Sequence, residues 1–244
     1  MPVILLAHTP DPERVVAAAA RLCYAPVGAA ELMDEMTGEE VAKLLKTILK
    51  SGHLSVCEHA TFTFAIEGIS RACSHQLVRH RVASYSQQSQ RYVKLNKPPI
   101  IIPPAVKARP ELEAAFLAAT ETAYANYRSL LDDGVEAEDA RYLLPQAVET
   151  KIVVTMNARE LLHFFTLRAC ERAQWEIRAL AEEMVRLVVP LAPTVFAKAG
   201  PACVRGRCPE GKFYCGKPRK LMPEGLIVID EKTWVYRGQA SPSV

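Results

Sequence analysis

The sequence predicts an α+β fold: a largely antiparallel sheet with packed helices, including one long helix in the C-terminal half of the chain. Apolar residues recur at helical spacing in some segments and alternate over short runs in others. The strand patterns are not separated by single helices at regular intervals, as a parallel βαβ sheet would require. At 244 residues, of which 50% are hydrophobic, the chain is long enough to bury a core around such a sheet.

The first third of the chain holds two strand patterns and three helix patterns. These are a buried strand at residues 3–7, helices at 11–23 and 37–50, a strand at 61–66 and a helix at 70–80. Local end signals support the helices. Thr37 with Glu40 three residues later is a capping-box pattern, Gly52 follows the same helix, and Ser70 can cap the next one.

The remaining elements and the domain boundary follow from the same signals. The elements are a β-like segment at 85–93, an extended connector at 97–104, helices at 110–134 and 136–144, a strand at 151–155 and a long helix at 157–189. From residue 200 the composition shifts to Gly, Pro, Lys and Cys. We therefore expect a main domain at 1–199 and an appendage at 200–244, closed by a hairpin of 226–230 with 233–237.

Positive charge is concentrated in one stretch of the chain. From Gly68 to Pro110 there is no Asp or Glu, and the chain as a whole carries only +3. The eight basic residues of this stretch are Arg71, Arg79, Arg81, Arg91, Lys94, Lys97, Lys107 and Arg109. Arg presents a rigid fork of donors that matches phosphate oxygens. The stretch suits a phosphate-bearing ligand, and the alternative is a solvated basic surface, although such surfaces usually mix both signs.

Two neighbouring elements would each present polar side chains from one face. In the helix predicted at 70–80 the spacing is i, i+3, i+4, and in the β-like segment at 85–93 the residues are two apart. The helix residues are Gln76, Arg79 and His80, and the β residues are Gln87, Ser89 and Arg91. Adjacent stretches of chain would thus offer Gln and Arg groups to one ligand.

A second anion-binding candidate lies in the helix predicted at 157–189. Arg168 falls on an apolar stripe at helical spacing, where a core residue is expected. The stripe consists of Leu161, Phe164, Phe165, Arg168, Arg172 and Trp175. A buried guanidinium needs an anionic partner because its desolvation is otherwise very costly. That partner is either an internal carboxylate or an anionic ligand.

Several motifs occur in an order that resembles the flavin-dependent thymidylate synthases. Arg79-His80-Arg81, followed after seven residues by Ser89-x-Arg91, is similar to the signature of that family. The other matching motifs are Gly52-His53 with Ser55 and Glu58-His59, Ala140-Arg141-x-x-Leu144-Pro145, Thr155-x-Asn157-x-Arg159, Leu167-Arg168-Ala169 and Gln174-Trp175-Glu176-Ile177. Together they extend the resemblance over most of the chain.

The resemblance implies a specific reaction. The family converts dUMP to dTMP with methylenetetrahydrofolate as the carbon donor, and a non-covalently bound FAD, reduced by NADPH, supplies the hydride. It also implies a homotetramer with active sites at the subunit interfaces. The chain has no Gly-x-Gly-x-x-Gly sequence and no P-loop, so a nucleotide cofactor would not be held by a Rossmann turn or a phosphate loop.

The resemblance also implies site residues, position by position. The implied dUMP contacts are Gln76, Arg79, Gln87, Gln88, Ser89, Gln90, Arg91, Arg141 from a neighbouring subunit, and Arg168. The implied FAD contacts are Ser55, Arg79, His80, Arg81, Asn157, Arg159 and His163. Arg168 is the implied catalytic residue, since a cation beside the uracil ring favours its ionised form. From the residues alone, Asn157 is explained as a helix N-cap and His163 as a packed histidine.

Two other functions stay open on the residues alone. The basic stretch could bind nucleic acid, although only Tyr85 and Tyr92 could stack on bases there, and we expect no nucleic-acid partner. Cys203, Cys208 and Cys215 could staple the tail around zinc, but no fourth ligand is evident and we expect no metal. An odd count of seven Cys indicates a reducing compartment, so we expect a cytoplasmic protein. No apolar run approaches the roughly 20 residues that span a bilayer, so we expect no membrane partner.

Overall fold

A computed structural model describes residues 1–218, 220–221 and 227–228 of the chain. Its main sheet has four antiparallel strands in the order β1-β2-β4-β3. These strands are β1 Val3–His8, β2 Thr61–Ser70, β3 Ala83–Gln87 and β4 Glu149–Asn157. The predicted α+β class with a largely antiparallel sheet is confirmed.

Alternation along the strands sets which side chains are buried. Phe64 and Ile66 of β2 and Ile152 of β4 are buried at every second position. Residues 3–7 lie in a strand, as predicted, but the prediction that this strand is buried is wrong. It is β1, which lies at the edge of the sheet. Ile4 and Leu6 of this strand are 54% and 55% exposed.

Nine α-helices lie within the described residues. They are α1 Pro12–Leu22, α2 Ala29–Glu35, α3 Gly38–Ser51, α4 Arg71–Leu77, α5 Pro104–Lys107, α6 Pro110–Asp132, α7 Ala137–Ala140, α8 Ala158–Arg168 and α9 Trp175–Val188. Short 3-10 helices occupy Leu54–His59, Arg141–Leu143, Ala202–Val204 and Gly211–Phe213. The helix predicted at 136–144 is confirmed as α7 followed by the 3-10 helix Arg141–Leu143. No prediction covered α2, α5 beyond its first residue, or the other three 3-10 helices.

The predicted helix ends at α3 and α4 are confirmed. The Thr37 side chain accepts from the backbone N–H of Glu40, whose carboxylate accepts from the backbone N–H of Thr37 at 2.9 Å. Gly52 closes α3 in the left-handed region, at φ 75°. Ser70 Oγ accepts from the backbone N–H of Cys73 at 3.0 Å, which caps α4. These ends are predictable because each depends on residues only three or four positions apart.

The prediction of one helix at 157–189 is wrong, since the chain forms α8 and α9 with a break between them. Gln174 begins α9 by accepting from the backbone N–H groups of Glu176 and Ile177. Arg178 holds the break in place by donating to the Glu171 carboxylate at 2.6 Å. The apolar stripe therefore does not continue past Arg168.

The described chain divides into two units. The first consists of residues 1–7 and 63–155, and the second of residues 8–62 and the chain from residue 156 onward. Ile69, Leu77 and Tyr127 are fully buried in the first unit. In the second, the Phe196 ring packs edge-on against Phe62 and Phe165, with centroids 5.6 and 6.1 Å away. The predicted domain boundary at residue 200 stays a prediction.

The tail differs from the hairpin predicted at 226–230 and 233–237. Ile227–Val228 is a strand, as expected, but it pairs antiparallel with Lys220–Leu221. The predicted partner, 233–237, lies outside the described residues. None of the helices in the described ranges combines the length and the apolar character that crossing a bilayer requires.

Candidate active site

Two arginines of the predicted nucleotide site meet at one residue of the first unit. Arg91 Nε forms an ion pair with the carboxylate of Glu138, and Arg141 Nε donates to the backbone carbonyl of Glu138 at 3.0 Å. Glu138 lies in α7, and Arg141 is the residue that follows this helix. The acid-free sequence around Arg91 had suggested no counter-charge, yet the fold supplies one from 47 residues away.

These two contacts leave the terminal nitrogens of both guanidinium groups available. Within the described ranges, Nη1 and Nη2 of Arg91 and of Arg141 have no protein acceptor. The Arg91 guanidinium lies over the Tyr92 ring, 5.2 Å from its centroid, which further restricts its position. Two forks with free N–H groups beside each other suit an oxyanion that accepts several hydrogen bonds, such as phosphate.

Arg71 adds a third cation to this region, and sequence reasoning had not placed it in the site. Its side chain is half-buried at the start of α4. Burial, and after it the nearby positive charge of Arg141, lowers the pKa of the Arg71 guanidinium. Among the described residues it has no acceptor. We refer to Arg71, Arg91 and Arg141 as the arginine cluster.

Gln87 is fixed by a short hydrogen-bond chain. Its amide nitrogen donates to Ser74 Oγ at 2.9 Å and to Thr150 Oγ1 at 3.1 Å. Ser74 Oγ in turn donates to the backbone carbonyl of Arg71 at 2.9 Å. Because the Ser74 hydroxyl donates its only hydrogen to the backbone carbonyl of Arg71, it can only accept a hydrogen bond from Gln87. This defines the orientation of the Gln87 amide. The Gln87 carbonyl oxygen is therefore left to accept from another group.

The helix that carries Gln76 ends sooner than predicted. α4 stops at Leu77, so Arg79 and His80 do not share a helical face with Gln76, and that prediction is wrong. The Tyr85 hydroxyl lies 2.9 and 2.8 Å from the carbonyl oxygens of Leu77 and His80, and this contact replaces helical hydrogen bonds. Arg79 is exposed, whereas His80 is 4% exposed.

The segment that carries Ser89 and Arg91 is a turn. The predicted β-like segment 85–93 ends as a strand at Gln87, so Gln87, Ser89 and Arg91 do not project from one side of a strand. Ser89 Oγ accepts from the Arg91 backbone N–H at 3.1 Å, a local bond that competes with strand pairing. Gln88 and Gln90, also predicted to contact dUMP, are half-buried in the same turn.

In the second unit, α8 positions three of the predicted FAD contacts. Asn157 Oδ1 accepts from the backbone N–H of Glu160 at 2.8 Å, so the predicted N-cap is confirmed. Arg159 and His163 are one helical turn apart and both exposed, so they share a face of this 11-residue helix. Arg159 Nη1 pairs with Glu58 Oε1 at 2.5 Å.

Two groups next to Arg159 and His163, the Cys57 thiol and the Glu160 carboxyl, have shifted pKa values. Burial raises the pKa of the Cys57 thiol to about 11, with Arg159 opposing the shift. Burial also raises the pKa of the Glu160 carboxyl, and the neighbouring His163 partly offsets this. Ser55, another predicted FAD contact, is exposed in the 3-10 helix Leu54–His59.

Arg168, the predicted catalytic residue, is half-buried at the last position of α8. A cation there interacts favourably with the negative end of the helix. Arg172 and Trp175 lie beyond this helix, and Arg172 instead donates to the backbone carbonyl of Phe213 at 2.7 Å. The choice between a carboxylate and an anionic ligand as the partner of Arg168 stays a prediction.

An α+β fold that gathers arginine side chains with free terminal donors is typical of proteins that bind phosphate-bearing ligands. The family model described as "Thymidylate synthase complementing protein" matches residues 4–194. The chain therefore belongs to this family, and the resemblance inferred from the motifs is confirmed.

Curated relatives cover almost the whole chain. The flavin-dependent thymidylate synthase of Geobacter sulfurreducens is 60% identical over 223 residues, which are 91% of this chain and 96% of that protein. That of Pyrococcus horikoshii is 44% identical over 241 residues, 95% of this chain and 96% of that protein. Among solved structures, the UMP/dUMP methylase PolB from Streptomyces cacaoi, bound with 5-Br dUMP, has a TM-score of 0.70. It is 27% identical and covers 80% of this chain and 92% of its own.

Proposed function

We propose that this chain catalyses the reductive methylation of dUMP to dTMP. Methylenetetrahydrofolate donates the carbon, and NADPH reduces the FAD cofactor. Membership of the family supports this, since relatives similar over nearly the whole chain are named flavin-dependent thymidylate synthases. The PolB structure, with 5-Br dUMP bound, supports a pyrimidine nucleotide as the substrate.

The main observation in support of the proposed nucleotide site is that Arg91 and Arg141 both contact Glu138. Among the described residues nothing accepts from the terminal nitrogens of either side chain, and both arginines come from the same chain. One dUMP phosphate, with three terminal oxygens, can accept from both forks at once. In this proposal Arg141 therefore acts from the same subunit as Arg91, rather than from a neighbouring one. Ser89, Gln88 and Gln90 complete the phosphate contacts from the turn that Arg91 ends.

The uracil ring is held by amide and guanidinium groups. The carbonyl oxygen of Gln87, which has no donor among the described residues, accepts a hydrogen bond from the substrate. Gln76 and Arg79 contact the nucleotide from α4 and the segment after it. Arg168 is the catalytic residue of the proposal. Its cation stabilises negative charge that develops on the ring, and this effect is largest where water is excluded.

The exposed face of α8 fits a flavin dinucleotide. Arg159 and His163 lie one turn apart near the start of an exposed face of this 11-residue helix, where the helix dipole favours an anion such as the flavin phosphates. Ser55, Arg79, His80, Arg81 and Asn157 are the further proposed contacts. When bound, the reduced flavin supplies the hydride, and the protein binds and orients the substrate.

Assembly and location complete the proposal. We infer a homotetramer with its active sites at subunit interfaces. The exposure of Ile4 and Leu6 on edge strand β1 supports coverage by another protomer. The odd number of seven cysteines supports a reducing, cytoplasmic location. Light scattering on the purified protein would measure the mass of the assembly, and a monomer would contradict the tetramer.

The direct test is product formation. Purified protein is incubated with FAD, NADPH, methylenetetrahydrofolate and dUMP, and dTMP is measured by mass spectrometry. The proposal predicts dTMP only in the complete mixture, and NADPH oxidation that is faster with dUMP than without it. No dTMP at saturating concentrations would contradict it. Steeply salt-dependent RNA binding by flavin-free protein would instead support the nucleic-acid alternative.

A further inference from the structure

Glu138 is the acidic residue at the centre of the proposed phosphate site. Its carboxylate pairs with Arg91 and its backbone carbonyl accepts from Arg141, so a single residue contacts both arginines. A carboxylate next to a phosphate site repels the ligand, so its presence there requires a compensating benefit to binding. Both partners of the ion pair are about half exposed, at 53% for Arg91 and 43% for Glu138, so its contribution to folding stability is small.

The geometry of the two contacts indicates that role. Each arginine is held through Nε, on the edge of its guanidinium group, and the two terminal nitrogens remain free in the described part of the chain. A long arginine side chain loses much rotamer freedom when a ligand fixes it. An arginine that the protein already holds loses less of this freedom on binding. Glu138 therefore lowers the entropic cost of phosphate binding without occupying the donors that phosphate needs.

We propose that Glu138 is a positioning residue for the substrate phosphate. It presents the forks of Arg91 and Arg141 from one subunit to one monophosphate, and so sets the preference for the nucleotide over the nucleoside. The inference rests on the proposed function, since it assumes a nucleotide substrate. It assigns to Glu138 an effect on binding that acts through Arg91, with no direct contact to the substrate.

The test measures how much the phosphate adds to binding. Dissociation constants for dUMP and for deoxyuridine are measured by titration of the FAD-loaded enzyme. The ratio of the deoxyuridine constant to the dUMP constant, which measures the preference for the nucleotide, is compared between variants. Glu138→Ala removes the carboxylate and keeps the backbone carbonyl, so the ratio should fall about fivefold, or about 1 kcal/mol. Glu138→Gln keeps an oxygen that can accept from Arg91 Nε, so its ratio should lie between wild type and Glu138→Ala.

Two controls separate positioning from a general structural effect. Asp139→Asn makes the same change of charge at the next, exposed residue of α7, and should leave the ratio unchanged. In an Arg91→Ala background, Glu138→Ala should reduce the ratio by less than about twofold, because the residue through which it acts is gone. The FAD content and the melting temperature of each variant report whether it is folded.

The outcomes distinguish this inference from the proposed function. If the wild-type enzyme bound dUMP no better than deoxyuridine, the nucleotide assignment itself would be wrong. If wild type preferred dUMP and Glu138→Ala kept the same preference, the positioning role would be refuted. It would also be refuted if the losses of Arg91→Ala and Glu138→Ala were additive, or if Glu138→Gln were as damaging as Glu138→Ala.

Discussion

Replacing Arg71 by Met removes a half-buried positive charge and keeps an apolar chain of similar length. The structure predicts opposite effects on stability and on binding. Without a ligand, the charge is partly desolvated, lies near Arg141 and has no acceptor among the described residues. Its removal should therefore stabilise the free protein. With dUMP bound, the same charge is expected to attract the phosphate, so its removal should weaken binding.

The two magnitudes follow from the burial of the side chain. Because Arg71 is only partly buried, solvent screening limits the gain in unfolding free energy to less than about 1 kcal/mol. For a chain of this size that corresponds to a rise in melting temperature of about 1–4 °C. The loss of a charge-assisted phosphate contact is about 1.5–3 kcal/mol, which raises the KM for dUMP at least about tenfold.

The assay combines thermal unfolding of the ligand-free protein with steady-state kinetics. Arg109→Met is the matched control, since it makes the same substitution in the same acid-free stretch at an exposed position. The control should change neither quantity appreciably. If Arg71→Met lowered the melting temperature and left the KM for dUMP unchanged, Arg71 would be a structural residue and the arginine cluster would not be an anion site.

Three further predictions concern other positions. Gln87→Glu places a negative charge beside the proposed site and removes an amide donor, so the KM for dUMP should rise about tenfold; an unchanged KM would exclude contact with the nucleotide. Burial raises the pKa of Cys57 to about 11, so at pH 8 its thiolate fraction is about one in a thousand. Iodoacetamide should therefore label exposed Cys23 and spare Cys57 in folded protein, as peptide mapping would report, and rapid labelling of Cys57 would contradict its burial. Arg168→Ala should cut turnover by about 100-fold or more with FAD retained, whereas Arg172→Ala should not; loss of flavin without loss of dUMP affinity would refute the role of Arg168.

Helix ends set by local contacts were predictable from the sequence. The Thr37 capping box, the Ser70 and Asn157 N-caps and the C-terminal Gly52 are all confirmed, since each signal lies within four residues of its partner. Membership of the family was equally predictable from the motifs. They depend on residue identity at fixed spacing and need no knowledge of the fold.

The break between α8 and α9 could not be read from the sequence. The segment from Ala169 to Gln174 has no Gly or Pro, and helical periodicity continues across it. Arg178 anchors Glu171 from seven residues away, and Gln174, an uncommon N-cap residue, begins the next helix. The composition of a segment does not reveal such contacts.

The sequence pointed to arginines as candidate site residues, but it did not reveal the contacts that the fold makes between them. Charge patterning pointed to the stretch that holds Arg71, but did not single out this residue from its seven basic neighbours. Glu138 gave no sequence signal, because it is 47 residues from Arg91 and its partner is set by the fold. The spacing of Gln87, Ser89 and Arg91 suggested a strand, whereas the Ser89 hydroxyl forms a turn.

The proposed function depends most on Arg91 and Arg141 of one subunit binding the phosphate of dUMP. A crystal structure of the protein with FAD and dUMP tests it most directly. We predict that terminal nitrogens of both arginines lie within hydrogen-bonding distance of the same phosphate, with Glu138 still on their Nε edges. A phosphate bound elsewhere, with both guanidinium groups facing solvent, would contradict it.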